Sequence, residues 1–359
     1  MSRSVRPSWR RIWLRLHLWL GLTIGLVAAL LGLTGAALVL KEPWLRLELG
    51  AMADPADPAA MPLAPDLQVK AAEAIATAPR RLVSVAAPGS GPMPVAAVLA
   101  LLTEPADNGG PRFVVGTIDP ATGAVLGIRP FDDLAFARLL DLHRALLGGR
   151  TGAGLVAAVG MVLCLSLVSG AYLWWPGRVG DRPRPGFWRR RLLPSFRGPW
   201  HRQARVMHAT AGIWLLLPLA VLAVTGTLLA RPDLIGGGRR APLPVAALPV
   251  PGGSCEAVPD AAAAVRLGLQ AADSGRFLGV MMAGPGWVVT TTAGTVMVDA
   301  GCGSVRGMPG GPDLHAVMNG VHGRLMLGWP GQVVVFLAGL ALPGFYVTGL
   351  VTWLRRRRR

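Results

Sequence analysis

LHLWLGLTIGLVAALLGLTG (residues 16–35) and MHATAGIWLLLPLAVLAVTG (residues 207–226) both open on a histidine and close on Thr-Gly. His17 to Gly35 and His208 to Gly226 each span 18 residues. A second pair of stretches obeys a similar rule. LHRALLGG (142–149) holds His143 and VHGRLMLG (321–328) holds His322, and Gly170 and Gly349 each follow 27 residues later, Trp174 and Trp353 each 31 residues later. Three coincident spacings read as an internal duplication, two copies of a unit made of helix, intervening segment and helix.

The stretches around these histidines set the fold class. The chain of 359 residues is 52% hydrophobic and 15% charged, too apolar for an ordinary soluble protein. Four runs, Leu18–Leu40, Thr151–Trp175, Val206–Ala230 and Val333–Leu354, contain no Asp, Glu, Lys or Arg. Each has about the ~20 residues that cross a bilayer. The first is too long for the apolar core of a signal peptide and reads as a retained helix. Trp13, Trp44, Trp174, Trp175, Trp329 and Trp353 stand near the span ends, where amphipathic rings anchor to lipid.

The net charge of +17 raises the question of nucleic acid, and its distribution answers it. Arginine crowds residues 1–17, 176–205 and 355–359, where Asp181 is the only acid. All other acids fall in 41–150 and 231–332. This is the positive-inside pattern of a multi-pass membrane protein with both termini cytoplasmic, and it calls for no nucleic-acid partner.

Segments 41–150 and 231–332 are thus external. Residues 67–78 (LQVKAAEAIATA) read as a helix ahead of alternating apolar runs in which Asp119–Gly123 is a hairpin turn. Residues 259–272 (PDAAAAVRLGLQAA) read as a helix before 276–305, again strand-like. Both are small α+β modules, with Ala/Pro/Gly-rich linkers at 51–65 and 235–255. Cys164 is mid-span; Cys255 and Cys302 lie in the second external segment, where an oxidising compartment permits a disulfide without requiring one.

A histidine in or beside a span is costly unless partnered. A lone one usually bonds a carbonyl or lipid headgroup; four at duplicated positions point to chemistry. His17 and His208 open outward-running helices near the cytoplasmic face, and His143 and His322 precede inward-running helices near the outer face. One pair per side suits two stacked bis-histidine haems, whose filled axial positions favour electron transfer. Zinc or copper would ask for three or four ligands with acids or thiolates close by. No acid lies near the inner pair. Gly21, Gly25, Gly32, Gly148, Gly149, Gly152 and Gly154 serve either a flat macrocycle or plain helix packing.

Two further histidines have no duplicate. His201 precedes His208 by seven and aligns with Arg10; His315 precedes His322 by seven and aligns with Phe136. They could bond a propionate, replace a ligand, hold another cofactor or sit at the interface. Arg10, Arg11, Arg202 and Arg205 could pair with propionates, or simply satisfy the charge bias.

The quartet LHLWLGL…LTG, LHRALLGG…SGAYLWWP, MHATAGIW…VTG and VHGRLMLG…VTGLVTWLRRR resembles the PepSY-associated transmembrane helix family across all four spans. The external modules resemble PepSY domains more weakly, through pattern and the DPATG turn. The fold class implied is a membrane protein, mainly α, with four transmembrane helices arising from an internal duplication and two small α+β PepSY-like periplasmic modules. The resemblance further implies the bacterial inner membrane, two b-type haems with axial ligands at His17, His143, His208 and His322, and kinship with siderophore reductases. The expected function is di-haem electron transfer to a periplasmic acceptor, chiefly ferric siderophore iron. No Gly-rich dinucleotide fingerprint follows a strand, so the donor is a separate cytoplasmic protein or a membrane quinol. The alternative is a membrane-anchored PepSY module that binds or regulates a periplasmic protein or peptidase. A repeat-built transporter lacks the buried acids for ion coupling.

Overall fold

A computed structural model describes residues 9–91, 93–106, 110–176, 187–194, 197–235, 260–272, 275–284, 286–301, 303–307 and 314–357, without the side chains of Arg190, His315, Ala316, Arg356 and Arg357. The helices are α1 (Trp9–Thr23), α2 (Gly25–Val39), α3 (Lys41–Leu49), α4 (Pro65–Ala74), α5 (Ala135–Ala145), α6 (Gly149–Trp174), α7 (Phe187–Leu192), α8 (Trp200–Trp214), α9 (Leu216–Ala230), α10 (Ala261–Ala271), α11 (Leu314–Arg324) and α12 (Gly328–Arg357). The strands are β1 (Arg81–Ala86), β2 (Val98–Pro105), β3 (Pro111–Ile118), β4 (Val125–Pro130), β5 (Phe277–Ala283), β6 (Gly286–Thr291), β7 (Thr295–Asp299) and β8 (Val305–Gly307). The chain divides into a helical unit (residues 1–39, 139–239 and 312–359) and a sheet unit (40–138 and 240–311).

In the helical unit, Gly149–Trp174 and Gly328–Arg355 are long and apolar enough to cross a membrane, and each bent pair, α1 with α2 and α8 with α9, passes the same test taken as one span. The bends are 57° and 65°. The apolar runs were expected to be unbroken spans; instead each of the two breaks seven residues past its histidine, at Ile24 and Leu215. The second break has a local cause. Pro218 has no amide for the carbonyl of Trp214, and its ring crowds that carbonyl. At the first, Gly25 lies so close to Tyr346 that a Cβ would sit 2.8 Å from its ring, and the Thr23 hydroxyl bonds the carbonyl of Trp19 at 2.7 Å.

Where α2 meets α12 the backbones nearly touch. A Cβ on Gly32 would lie 2.5 Å from the carbonyl oxygen of Gly339, and one on Gly339 would lie 2.6 Å from that of Gly32. Gly32 therefore serves helix packing, the small-residue approach that dispersion rewards when lipid provides no hydrophobic drive.

In the sheet unit segments 41–150 and 231–332, read from sequence as separate modules, contribute to one antiparallel eight-stranded sheet of order β4-β3-β2-β1-β5-β6-β7-β8. Two meanders join where Ser84, Val85 and Ala86 pair with Met281, Val280 and Gly279. The join covers an edge in a way that a strand pattern does not display: β1 alone would leave a row of unpaired backbone groups. α4 and α10 supply Val69, Ala72, Ala261, Ala264 and Val265 to a core shared with Val85, Val98, Leu102, Val114, Val280, Val289 and Val298, all buried. The Asp260 side chain caps α10 by accepting from the Ala263 amide at 2.6 Å.

The DPATG turn closes the β3–β4 hairpin as expected. The amide of Asp119 donates to Ala124 and that of Gly123 donates to Asp119, with Gly123 at φ +73°. The buried Asp119 carboxylate accepts from the amides of Ala56 (3.0 Å), Ala121 (2.9 Å) and Thr122 (3.0 Å). Those donors, Ala56 foremost, hold its carboxyl below the ordinary 3.8. The same backbone turn recurs at Asp299, Gly303 and Ser304, with Gly303 at φ +61°. An Asp119→Asn variant should lose about 2 kcal/mol, since it offers a single neutral acceptor oxygen to three donors. Ionised Asp119 stabilises the fold above its ordinary titration range, and that contribution is lost as pH falls through the lower folded value. Thermal unfolding of the full chain against pH should therefore show a shallower acid limb for Asp119→Asn than for the parent. The two disulfide candidates, Cys255 and Cys302, lie outside the described residues.

Candidate functional site

The tight connections between helices place His143 and His322. Leu146 and Leu147 adopt φ +48° and +58°, and Leu325 and Met326 adopt the same two values. Two successive left-handed non-glycine residues cost energy and persist only where the surroundings enforce them. Here Gly152 and Gly331 pack so tightly on the carbonyls of Ala145 and Arg324 that any side chain there would overlap them. The result is that α5 and α11 each turn sharply into the following long helix, carrying His143 and His322 against α2 and α9.

The four imidazoles form two close pairs, neither of them stacked. The ring centroids of His17 and His208 are 6.2 Å apart with planes at 88°, and those of His143 and His322 are 6.3 Å apart with planes at 53°. Each pair takes one histidine from each half of the sequence. The pairing expected from depth along the spans is the pairing observed.

Every ring is held in the same way from its far side. The Nδ1 of His17 lies 2.8 Å from Ser169 Oγ, that of His143 3.0 Å from Thr34 Oγ1, that of His208 2.9 Å from Thr348 Oγ1 and that of His322 2.9 Å from Thr225 Oγ1. In each case the residue after the hydroxyl is a glycine set against the imidazole Cε1. A Cβ on Gly35 would come within 2.8 Å of His143, on Gly226 within 3.0 Å of His322, on Gly170 within 3.2 Å of His17 and on Gly349 within 3.9 Å of His208. These hydroxyls escaped the sequence reading. Their signal was present in LTG, SGAY, VTG and VTGL, where a hydroxyl precedes each spaced glycine.

Around the first pair lies a cavity of about 370 Å³, within the size range of ligand pockets. Its wall is largely apolar and includes Gly21, Gly25 and Gly212, with Arg205 among the lining residues. Gly21 and Gly25 thus border the space, whereas Gly32 packs helices.

The remaining candidates are dispersed. Arg10 donates to the carbonyls of Leu173 (2.6 Å) and Trp175 (3.3 Å), capping the end of α6. Arg202 is exposed on α8. His201 contacts Trp200 edge-on at 6.3 Å and joins neither pair. His315 lies on α11, its side chain outside the description.

The donor set defines what could bind. A metal held between two imidazole nitrogens at about 2 Å each would set the ring centroids roughly 6 Å apart. The observed 6.2 and 6.3 Å meet that condition twice. Among the described residues no cluster of three or more His, Cys, Asp or Glu could hold a metal ion.

Residues 14–356 match the family described as PepSY-associated TM region, and the chain belongs to that family. No curated protein matches it. With its long apolar helices, the chain is a membrane protein.

Proposed function

We propose that this member of the PepSY-associated TM region family is a di-haem electron carrier of a bacterial inner membrane. His17 and His208 would hold one b-type haem, and His143 and His322 the other. The acceptor is a ferric siderophore or related chelate on the periplasmic side. The observation that carries the reading is the double occurrence of two imidazoles at a two-ligand spacing, with every Nδ1 bonded to a hydroxyl of a neighbouring helix. Bound haem iron would supply reversible one-electron chemistry between Fe(III) and Fe(II).

The protein's own part is to hold, orient and insulate. Hydroxyls on neighbouring helices hold each Nδ1, which leaves each Nε2 free to ligate, and a largely apolar wall surrounds His17 and His208. About 25 Å of helical path separates His17 from Thr34, the partner of His143, before the bend shortens it. The pairs therefore occupy different depths. Arginine-rich 1–17, 176–205 and 355–359 support cytoplasmic termini and an inner His17–His208 pair. Breaks seven residues after each inner histidine, and matched turns before α6 and α12, support descent from a duplication. The donor would be a separate protein or a quinol of the membrane.

Purified protein should be red, contain two haems per chain and give low-spin b-type bands on dithionite reduction. Protein that purifies colourless and takes up no haem would refute the reading. Anaerobic mixing of reduced protein with ferric siderophores should reoxidise it, with Fe(II) captured by a ferrous chelator. Failure with every siderophore and ferric chelate tried would remove the acceptor from the proposal.

A further inference from the structure

We propose that Ser169, Thr34, Thr225 and Thr348 are positioning residues that hold the two imidazole pairs in different ring geometries, making the two centres electronically inequivalent. This rests on the reading of the pairs as haem ligands.

The argument begins with the single hydrogen of each hydroxyl. Thr34 donates it to the carbonyl of Leu30 (2.9 Å), Thr225 to Val221 (2.7 Å), Thr348 to Gly344 (2.7 Å) and Ser169 to Ser166 (2.8 Å). With that hydrogen committed, the oxygen can only accept from the imidazole. At one ring a second acceptor stands beside the hydroxyl. At His17 the carbonyl of Ser166, three residues before the hydroxyl, also lies 3.1 Å from Nδ1. Neither kind of acceptor can donate, so Nδ1 carries the hydrogen and Nε2 keeps its lone pair for iron. Because the Nδ1–H bond lies in the ring plane, its direction also sets that plane.

The halves use this device unequally. On the His17 side the hydroxyl is a serine bonded three residues back; on the His208 side it is a threonine bonded four back. Phe345, 23 residues after His322, meets His208 edge-on at 5.2 Å, while the residue 23 after His143 is Ser166. At the other pair both hydroxyls are threonines bonded four back. The planes accordingly stand at 88° in one pair and 53° in the other. Nearly perpendicular imidazoles act equally on the two iron π orbitals and leave them close in energy, whereas oblique imidazoles split them. Low-spin Fe(III) then shows greater g anisotropy at the perpendicular centre.

The test is electron paramagnetic resonance and redox titration of oxidised full-length protein, with haem counted in every sample. The parent should show two low-spin signals, one with a markedly larger maximum g. Thr348→Val, which keeps shape and removes the acceptor, should shift the larger-g signal and raise that centre's midpoint potential, because the imidazole becomes a poorer donor to Fe(III). The other signal should stay in place. Thr225→Val should do the reverse, and Thr348→Ser should restore the parent spectrum. Loss of one haem in Thr348→Val with retention in Thr348→Ser would also support the role. Two bound haems with superposed signals, or with signals and potentials unmoved by both valine variants, would overturn the inference while leaving the ligand assignment intact. Haem-free parent protein would overturn both.

Discussion

His208→Ala should purify with about half the haem of the parent, and the His17→Ala, His208→Ala double variant should lose no more than either single one. An iron with a single protein nitrogen loses much of its hold, so the two ligands of one centre act as a unit and their effects do not add. His143→Ala and His322→Ala should remove the other half in the same way, and a variant taking one residue from each pair should be nearly colourless. His201→Ala is the control: its ring touches Trp200 and neither pair, so both haems should remain. Haem quantified per chain after purification decides this. Full haem in all four single variants would show that the pairs are not the ligands.

The glycines beside the rings should give the second large effect, and in a fixed order. Alanine at Gly35 would set its methyl 2.8 Å from His143, at Gly226 3.0 Å from His322, at Gly170 3.2 Å from His17 and at Gly349 3.9 Å from His208. A ring tethered both to iron and to a hydroxyl has little room to yield. Gly35→Ala should therefore lose most of the haem at its site, Gly226→Ala and Gly170→Ala progressively less. Gly349→Ala should keep its haem and gain up to ~1 kcal/mol, because an alanine costs less than a glycine inside a helix. Haem content and unfolding temperature across the four variants would reveal the order. Equal losses at all four positions would mean the rings do not lie where the structure has them.

Much of this was legible because duplication turns spacing into evidence. His17 and His208, or His143 and His322, are each unremarkable alone; their repeated distances to Gly35, Gly226, Gly170 and Gly349 marked both histidine and glycine. The hydroxyls were missed for a physical reason. Ser and Thr in apolar helices commonly bond their own backbone, as Thr34 does, and only the packed structure shows that the oxygen's remaining capacity faces a ring. Pro218 could have announced the bend at Leu215, but the bend at Ile24 depends on the Tyr346 ring over Gly25, a contact more than three hundred residues distant in sequence. The sheet join was equally hidden, since β1 and β5 reveal their strand character locally but not their partnership.

That join, taken with the crossed histidine pairs, suggests what a chain of half the length would have to do. Ending before residue 187, it would own His17 and His143 but no opposite ligand for either, and β1 would be a bare edge. A second copy of itself could supply an opposite ligand at each site and, separately, a neighbour for β1. In such a dimer each site would be built from two identical ligands. Joining the copies in one chain keeps the second always at hand, and it frees the two sides of each site to change separately, as Ser169 opposite Thr348 already has.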